Sequence, residues 1–264
     1  MQSQSPSLED RPVASFFFDL AIAVAALFAL SAVAGTAWAI FEIIRSVLVD
    51  GAIPKPDGLI RVIGQPDALA MIWITLVSTG GAALLVYFWR RRASTAERAA
   101  SAQAARRLGT WGWAMATAAG AFLFSSAITS LAQYFGTHPE PTNLALIEEA
   151  FTTSPVFLAV FGVLLAPAYE EVLFRRVLFG RLWAAGHPLL GVALSSAAFA
   201  FMHEIPGTTG NTWQATGLLW LTYGVMGAAF AGLYWRTRTL WAPIAAHALN
   251  NAVALVVLKL YGAG

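Results

Sequence analysis

The chain has 264 residues, 58% of them hydrophobic and 11% charged, with a formal net charge of +2 and a mean hydropathy of +0.65. A soluble domain carries about 25% charged residues, so this composition is that of an integral membrane protein, and its clustered arginines point to membrane topology rather than to nucleic acid. The absence of cysteine excludes a disulfide framework, a thiolate nucleophile and any cysteine-built metal site.

Residues 1–12 are polar and are expected to be disordered. Val13 to Ile44 is a long apolar stretch interrupted by Asp19 and Glu42. It exceeds the core of a signal peptide and is read as a first span rather than a cleaved leader. Arg45 to Pro66 is a mixed loop with three prolines, and Ala68 to Trp89 is a second span that ends on Arg90, Arg91 and Arg92. Ala93 to Leu108 is polar and arginine-rich, and reads as a solvated loop. Trp111 to Phe135 is a third span. Gly136 to Ser154, with three glutamates and no lysine or arginine, reads as a third connecting loop.

A fourth helix runs from Pro155 to about Arg181. Gly186-His187-Pro188 breaks the chain after it. Leu189 to His203 is a fifth helix of about four turns. Trp213 to Trp235 and Leu240 to Tyr261 are the sixth and seventh. The expected fold is all-α, a polytopic bundle of about seven spans (six to eight). Residues 13–154 form an N-terminal membrane region with three spans and a basic loop, and residues 155–261 form a second unit. Of the ten tryptophans, Trp73, Trp89, Trp111, Trp113, Trp213, Trp220, Trp235 and Trp241 fall near span ends, as interfacial belts require. Basic residues mark the cytoplasmic side. With the Arg90–Arg107 loop inside, only Arg45, Lys55, Arg61 and Lys259 fall outside. The N-terminus is then expected inside and the C-terminus outside.

Glu170 and Glu171 stand side by side within the apolar fourth helix. An ionised group there costs roughly 2.5–3.5 kcal/mol on insertion scales. Arg175 lies four residues after Glu171, on the same helical face, and can pair with it. Glu170 is about 100° further round the helix, without a local partner. Rise arithmetic puts Glu170 ~16 Å, His203 ~22 Å and His247 ~13 Å from the inner ends of their helices. All three fall in the central part of a hydrocarbon core about 30 Å thick. His247 and Asn251, four apart, share a face, and Phe199 lies one turn before His203. Two histidines, an asparagine and a carboxylate at one depth make a reaction site, a metal site or a proton path. His-Glu-x-x-His is absent, so the zincin pattern does not apply.

Glu170-Glu171-x-x-x-Arg175, Phe199-x-x-x-His203 and His247-x-x-x-Asn251, in that order on three helices, resemble the three motifs of the CPBP membrane proteases. This family includes the eukaryotic CAAX-processing endopeptidase and many bacterial relatives. Phe174, the glycines Gly224, Gly227 and Gly232 of the sixth span, and Pro243 ahead of His247 are similar to the family as well. The resemblance covers about Pro155 to Leu260, making residues 155–261 a CPBP-type protease core.

It implies a glutamate-dependent intramembrane endopeptidase in the bacterial cytoplasmic membrane, with its active site between the fourth, fifth and seventh helices. By the family's motifs, Glu170 would activate a water that His203 helps to hold. His247 and Asn251 would stabilise the oxyanion, while Glu171, Arg175 and Phe199 support the site. No cofactor is implied. The substrate would be a membrane-anchored protein or peptide, lipid-modified or carrying a C-terminal sorting segment. Two alternatives stay open on the residues alone. Glu170, His203 and His247 also form a His₂Glu set of the kind that holds catalytic zinc. The same groups could serve a non-catalytic scaffold or immunity protein, or a proton relay.

Overall fold

The structure is a computed structural model that describes residues 11–51 and 63–262. The expected disorder of residues 1–12 therefore falls almost wholly outside the described residues, as does most of the first loop. Among the described residues the chain is helical and contains no strand. Its helices are α1 (Pro12–Asp50), α2 (Ala68–Arg90), α3 (Thr95–Ala105), α4 (Leu108–Tyr134), α5 (Leu144–Thr153), α6 (Pro155–Ala184), α7 (Pro188–His203), α8 (Trp213–Thr237) and α9 (Trp241–Tyr261). Six of them, α1, α2, α4, α6, α8 and α9, are long and apolar enough to cross a membrane, and α7 is a shorter apolar helix of 16 residues. These seven correspond to the seven expected spans.

Two segments read as loops are helical. In α3, Ser94 caps the N–H of Glu97 while the Glu97 carboxylate accepts from the Ser94 N–H, a reciprocal capping box. Glu97 also pairs with Arg176 of α6 at 2.8 Å, and that hydrogen-bonded guanidinium holds its carboxyl down at about 2. In α5, Ala150 is fully buried against Ala68 and Ile72 of α2 and Leu158 of α6, and the Glu149 carboxylate accepts from the Ala68 N–H. Polar residues concealed α3, although its alanines favour a helix and Ser94-x-x-Glu97 marks its start. α5 is only ten residues long and rests on its contacts with α2 and α6.

α6 and α7 occupy the middle of the bundle. Phe174, Val177, Leu178 and Leu182 of α6 and Phe199 of α7 pack with Phe16 of α1 and Val86 of α2. On the other flank Phe230 and Met226 of α8 meet Ala114, Ala118 and Ala121 of α4 and Ala242 and Ala246 of α9. α7 and α8 cross closely at Gly227, where a Cβ would stand 3.0 Å from the Ser196 Cα. Small residues allow such backbone approach in membranes, where van der Waals contact drives helix association.

Asp19, unexplained by the sequence, is fully buried and bridges Arg90 of α2 at 2.9 Å and Arg181 of α6 at 2.6 Å. Three helices are thus joined at the arginine-rich end. There, burial and the nearby charges of Arg176 and Arg181 lower the Arg91 guanidinium from its ordinary value, and its Nη2 donates to the Gly180 carbonyl. Glu42 pairs locally with Arg45 on the exposed face of α1.

Candidate active site

The path of α6 sets the site. Pro155 starts the helix at its first turn, where a missing N–H is harmless. Two stretches, Val160–Leu165 and Val172–Phe179, are wound as π-helix on either side of the α-helical Ala166–Glu171. Such widened turns are frequent at functional sites. Pro167 explains part of the first. The Ala166 N–H bonds back to Phe161, Pro167 has no N–H to give, and the Gly162 carbonyl instead accepts from Asn251 Nδ2 of α9 at 2.9 Å. Asn251 therefore ties α9 to α6, and its amide keeps a second hydrogen.

Glu170 faces two histidines from other helices. Its Oε2 lies 3.5 Å from His203 Nε2 and 3.9 Å from His247 Nε2. That oxygen has no hydrogen-bond donor among the described residues. His203 ends α7, and its Nδ1 donates to the Phe199 carbonyl at 2.8 Å, which turns Nε2 toward Glu170. The His203 ring lies between Phe199, at 4.1 Å, and Tyr223 of α8, at 4.8 Å. His247 stacks on Phe230 at 5.0 Å, and its Nδ1 donates to Glu171 Oε1 at 3.0 Å.

Both imidazoles thus use Nδ1–H on a fixed oxygen and aim Nε2 at Glu170. In neutral form each offers only a lone pair there. For His247 to donate from Nε2, the ring must carry both protons. Glu171 also lies 2.9 Å from Arg175 Nε, and both side chains are almost wholly buried. The Arg175 guanidinium sits over the Phe199 and Phe230 rings at 4.6 and 5.4 Å and donates to the Gly227 carbonyl. Glu171 and Arg175 thus brace the site from behind, whereas Glu170 and His203 keep about a fifth of their side-chain surface open.

The structure brings together Glu170, Glu171, Arg175, Phe199, His203 and His247, on α6, α7 and α9. The Asn251 amide is engaged with Gly162 rather than with Glu170. Tyr223 and Glu204 were missed by the sequence reading. Tyr223 had a signal, a hydroxyl-bearing ring in mid-span. Glu204 had none: its buried carboxylate accepts from Thr142 N and Oγ1 and from Asn211 Nδ2, pinning both loops beside His203. Among the described residues no three His, Cys, Asp or Glu side chains are arranged to hold a metal ion.

Residues 152–253 match the family described as type II CAAX prenyl endopeptidase Rce1-like. The chain is 31% identical over 137 residues to the putative membrane peptidase YdiL of Bacillus subtilis, a match covering 51% of each protein. The chain thus spans about half the length of the curated relative it matches. No solved structure matches it. This C-terminal region is thus similar to the Rce1-like family, the one its three motifs resemble.

Proposed function

We propose that the chain is an integral membrane endopeptidase that hydrolyses a peptide bond with a water activated by Glu170. The observation that carries this is the approach of two imidazole Nε2 atoms, from two other helices, to one Glu170 oxygen. A water held between Glu170 and His203 gives a proton to the carboxylate, and its oxygen attacks the substrate carbonyl. The oxyanion is met by Nε2–H of a doubly protonated His247, whose charge the oxyanion itself answers, and by the second amide hydrogen of Asn251. Each such donor is worth about 10²–10³ in rate in a site of low dielectric. Glu170 then returns the proton to the departing amine nitrogen as the C–N bond breaks. No step calls for a metal.

The substrate is a membrane-anchored protein or peptide that reaches the open edge formed by Glu170 and His203. Asp19, Arg90, Arg176 and Arg181 meet at one end of the bundle, which supports an orientation with that end in the cytoplasm and the N-terminus inside.

The test is cleavage of a broad set of membrane-anchored reporter peptides by purified wild-type and Glu170→Gln protein, with and without a chelator. Cleavage by wild type that chelation leaves intact, and that falls at least about 10³-fold in the variant, is the expected outcome. Cleavage lost on chelation replaces this reading with a zinc enzyme. Cleavage that survives Glu170→Gln removes the base.

A further inference from the structure

The arginine-rich end of the bundle holds a second polar opening, on the outside of α8. A cavity of about 500 Å³ is lined by Gly232, Trp235, Arg236 and Arg238. The other arginines of this end with partners are already engaged: Arg90 and Arg181 with Asp19, Arg176 with Glu97, and Arg91 with a backbone carbonyl. Arg236 and Arg238 are exposed, and neither pairs with a carboxylate among the described residues. Each instead lies over a tryptophan, Arg236 above Trp113 at 4.0 Å and Arg238 above Trp183 at 4.5 Å. Stacking of this kind restrains a guanidinium plane while leaving its N–H fork free for an oxyanion.

The backbone points the same way. Arg238 closes α8 in the left-handed region, with φ of 60°. Glycine is the usual residue at that position because it carries no steric penalty there. A charged side chain held in a disfavoured conformation at a cavity mouth is a mark of function. The turn is braced from outside by Ser101 of α3, whose hydroxyl meets that of Thr239 at 2.9 Å.

The helix face leading away from the cavity is apolar and open. A Cβ at Gly224 or Gly232 would meet no atom within 4 Å, and Leu221 on the same face is 47% exposed. Trp241, also exposed, stands at the start of the next helix, where aromatic side chains mark the headgroup level. A guanidinium pair at the interface with an open apolar helix face running into the hydrocarbon matches a phosphate that carries an acyl chain better than a free anion.

We propose that this cavity binds the phosphate of an anionic phospholipid. Arg236 and Arg238 hold the phosphate oxygens, and one acyl chain lies along the Gly224–Gly232 face of α8. The site is independent of the cleavage chemistry.

Native mass spectrometry of the full chain in neutral-detergent micelles tests it, with phosphatidylglycerol, phosphatidylcholine and inorganic phosphate as the probes. Wild type is expected to retain one phosphatidylglycerol in preference to phosphatidylcholine. Arg236→Gln/Arg238→Gln is expected to weaken that binding roughly 30-fold, at about 1 kcal/mol for each basic residue facing an anionic headgroup. Gly232→Leu puts a bulky side chain into the cavity, leaves both arginines in place and is expected to displace the lipid as well. Arg106→Gln, an exposed arginine elsewhere on the basic surface, is expected to change nothing. Equal retention by wild type and both test variants overturns the proposal. So does displacement of the lipid by inorganic phosphate at equal concentration, which would make the site one for a free anion.

Discussion

Arg175 is 1% exposed and lies on the faces of two phenylalanines, so Glu171 must answer its charge inside the protein. Removing one partner of a buried pair strands the other and costs about 3–5 kcal/mol. Glu171→Ala is accordingly expected to lower the thermal transition in micelles steeply, and Glu171→Ala/Arg175→Met to recover much of the loss. A site held together by shape alone would show the two changes adding. Pro167 and Asn251 form a second coupled pair. Asn251→Ala leaves the Gly162 carbonyl without its donor, for a loss of about 0.6 kcal/mol, the average for hydrogen bonds between membrane helices, and at most about 1.7 kcal/mol. With Pro167→Ala as well, residue 167 regains an N–H that can serve that carbonyl. The double variant should lose less than the sum of the singles, and additive losses in the cycle would remove the coupling.

At the level of elements, the crossing of α7 and α8 governs where His203 and Tyr223 sit. A methyl group at Gly227 would stand 3.0 Å from the Ser196 Cα, which is backbone and cannot swing aside. Gly227→Ala is expected to destabilise by about 1–3 kcal/mol, as overpacking does. Gly217→Ala on the same helix meets nothing within 4 Å and serves as the control. Thermal unfolding of the two variants separates a packing effect from a general effect on helix propensity. The six spans and the shorter α7 were legible because each is an apolar run bounded by proline, glycine or arginine. The central cluster was legible because helical rise put Glu170, His203 and His247 at one depth. α3 and α5 were not: α3 has no apolar run, and that of α5, Leu144 to Ile147, is only four residues long. Nor was the engagement of Asn251 with Gly162, which depends on a local change of winding that only the folded α6 reveals.

Across the whole molecule, Asp19 fastens the N-terminal region to the protease-like half. It is fully buried, and its two oxygens go to Arg90 and Arg181. Asp19→Ala would leave two like charges facing one another, a change expected to cost about 3 kcal/mol, with partial relief because both arginines reach the surface. Hydrogen exchange in micelles should rise through the first turns of α1 and the end of α2 and stay unchanged in α9. A uniform rise over the whole chain would mean that Asp19 supports the entire bundle rather than one joint.

That joint also fixes one end of a very long rod. α1 runs for 39 residues, and the part beyond Asp19 measures about 47 Å at 1.5 Å per residue. The oily slab is about 30 Å thick and spans lean by about 20° on average. To stay within the slab this rod would have to lie over at about 50°. Upright, it would lift Phe41, Ile44, Leu48 and Val49, all more than half exposed, clear of the hydrocarbon. With the rod upright, the surrounding lipid must thicken to cover it; laid over, the rod spreads sideways through the bilayer and shields more of the bundle from lipid.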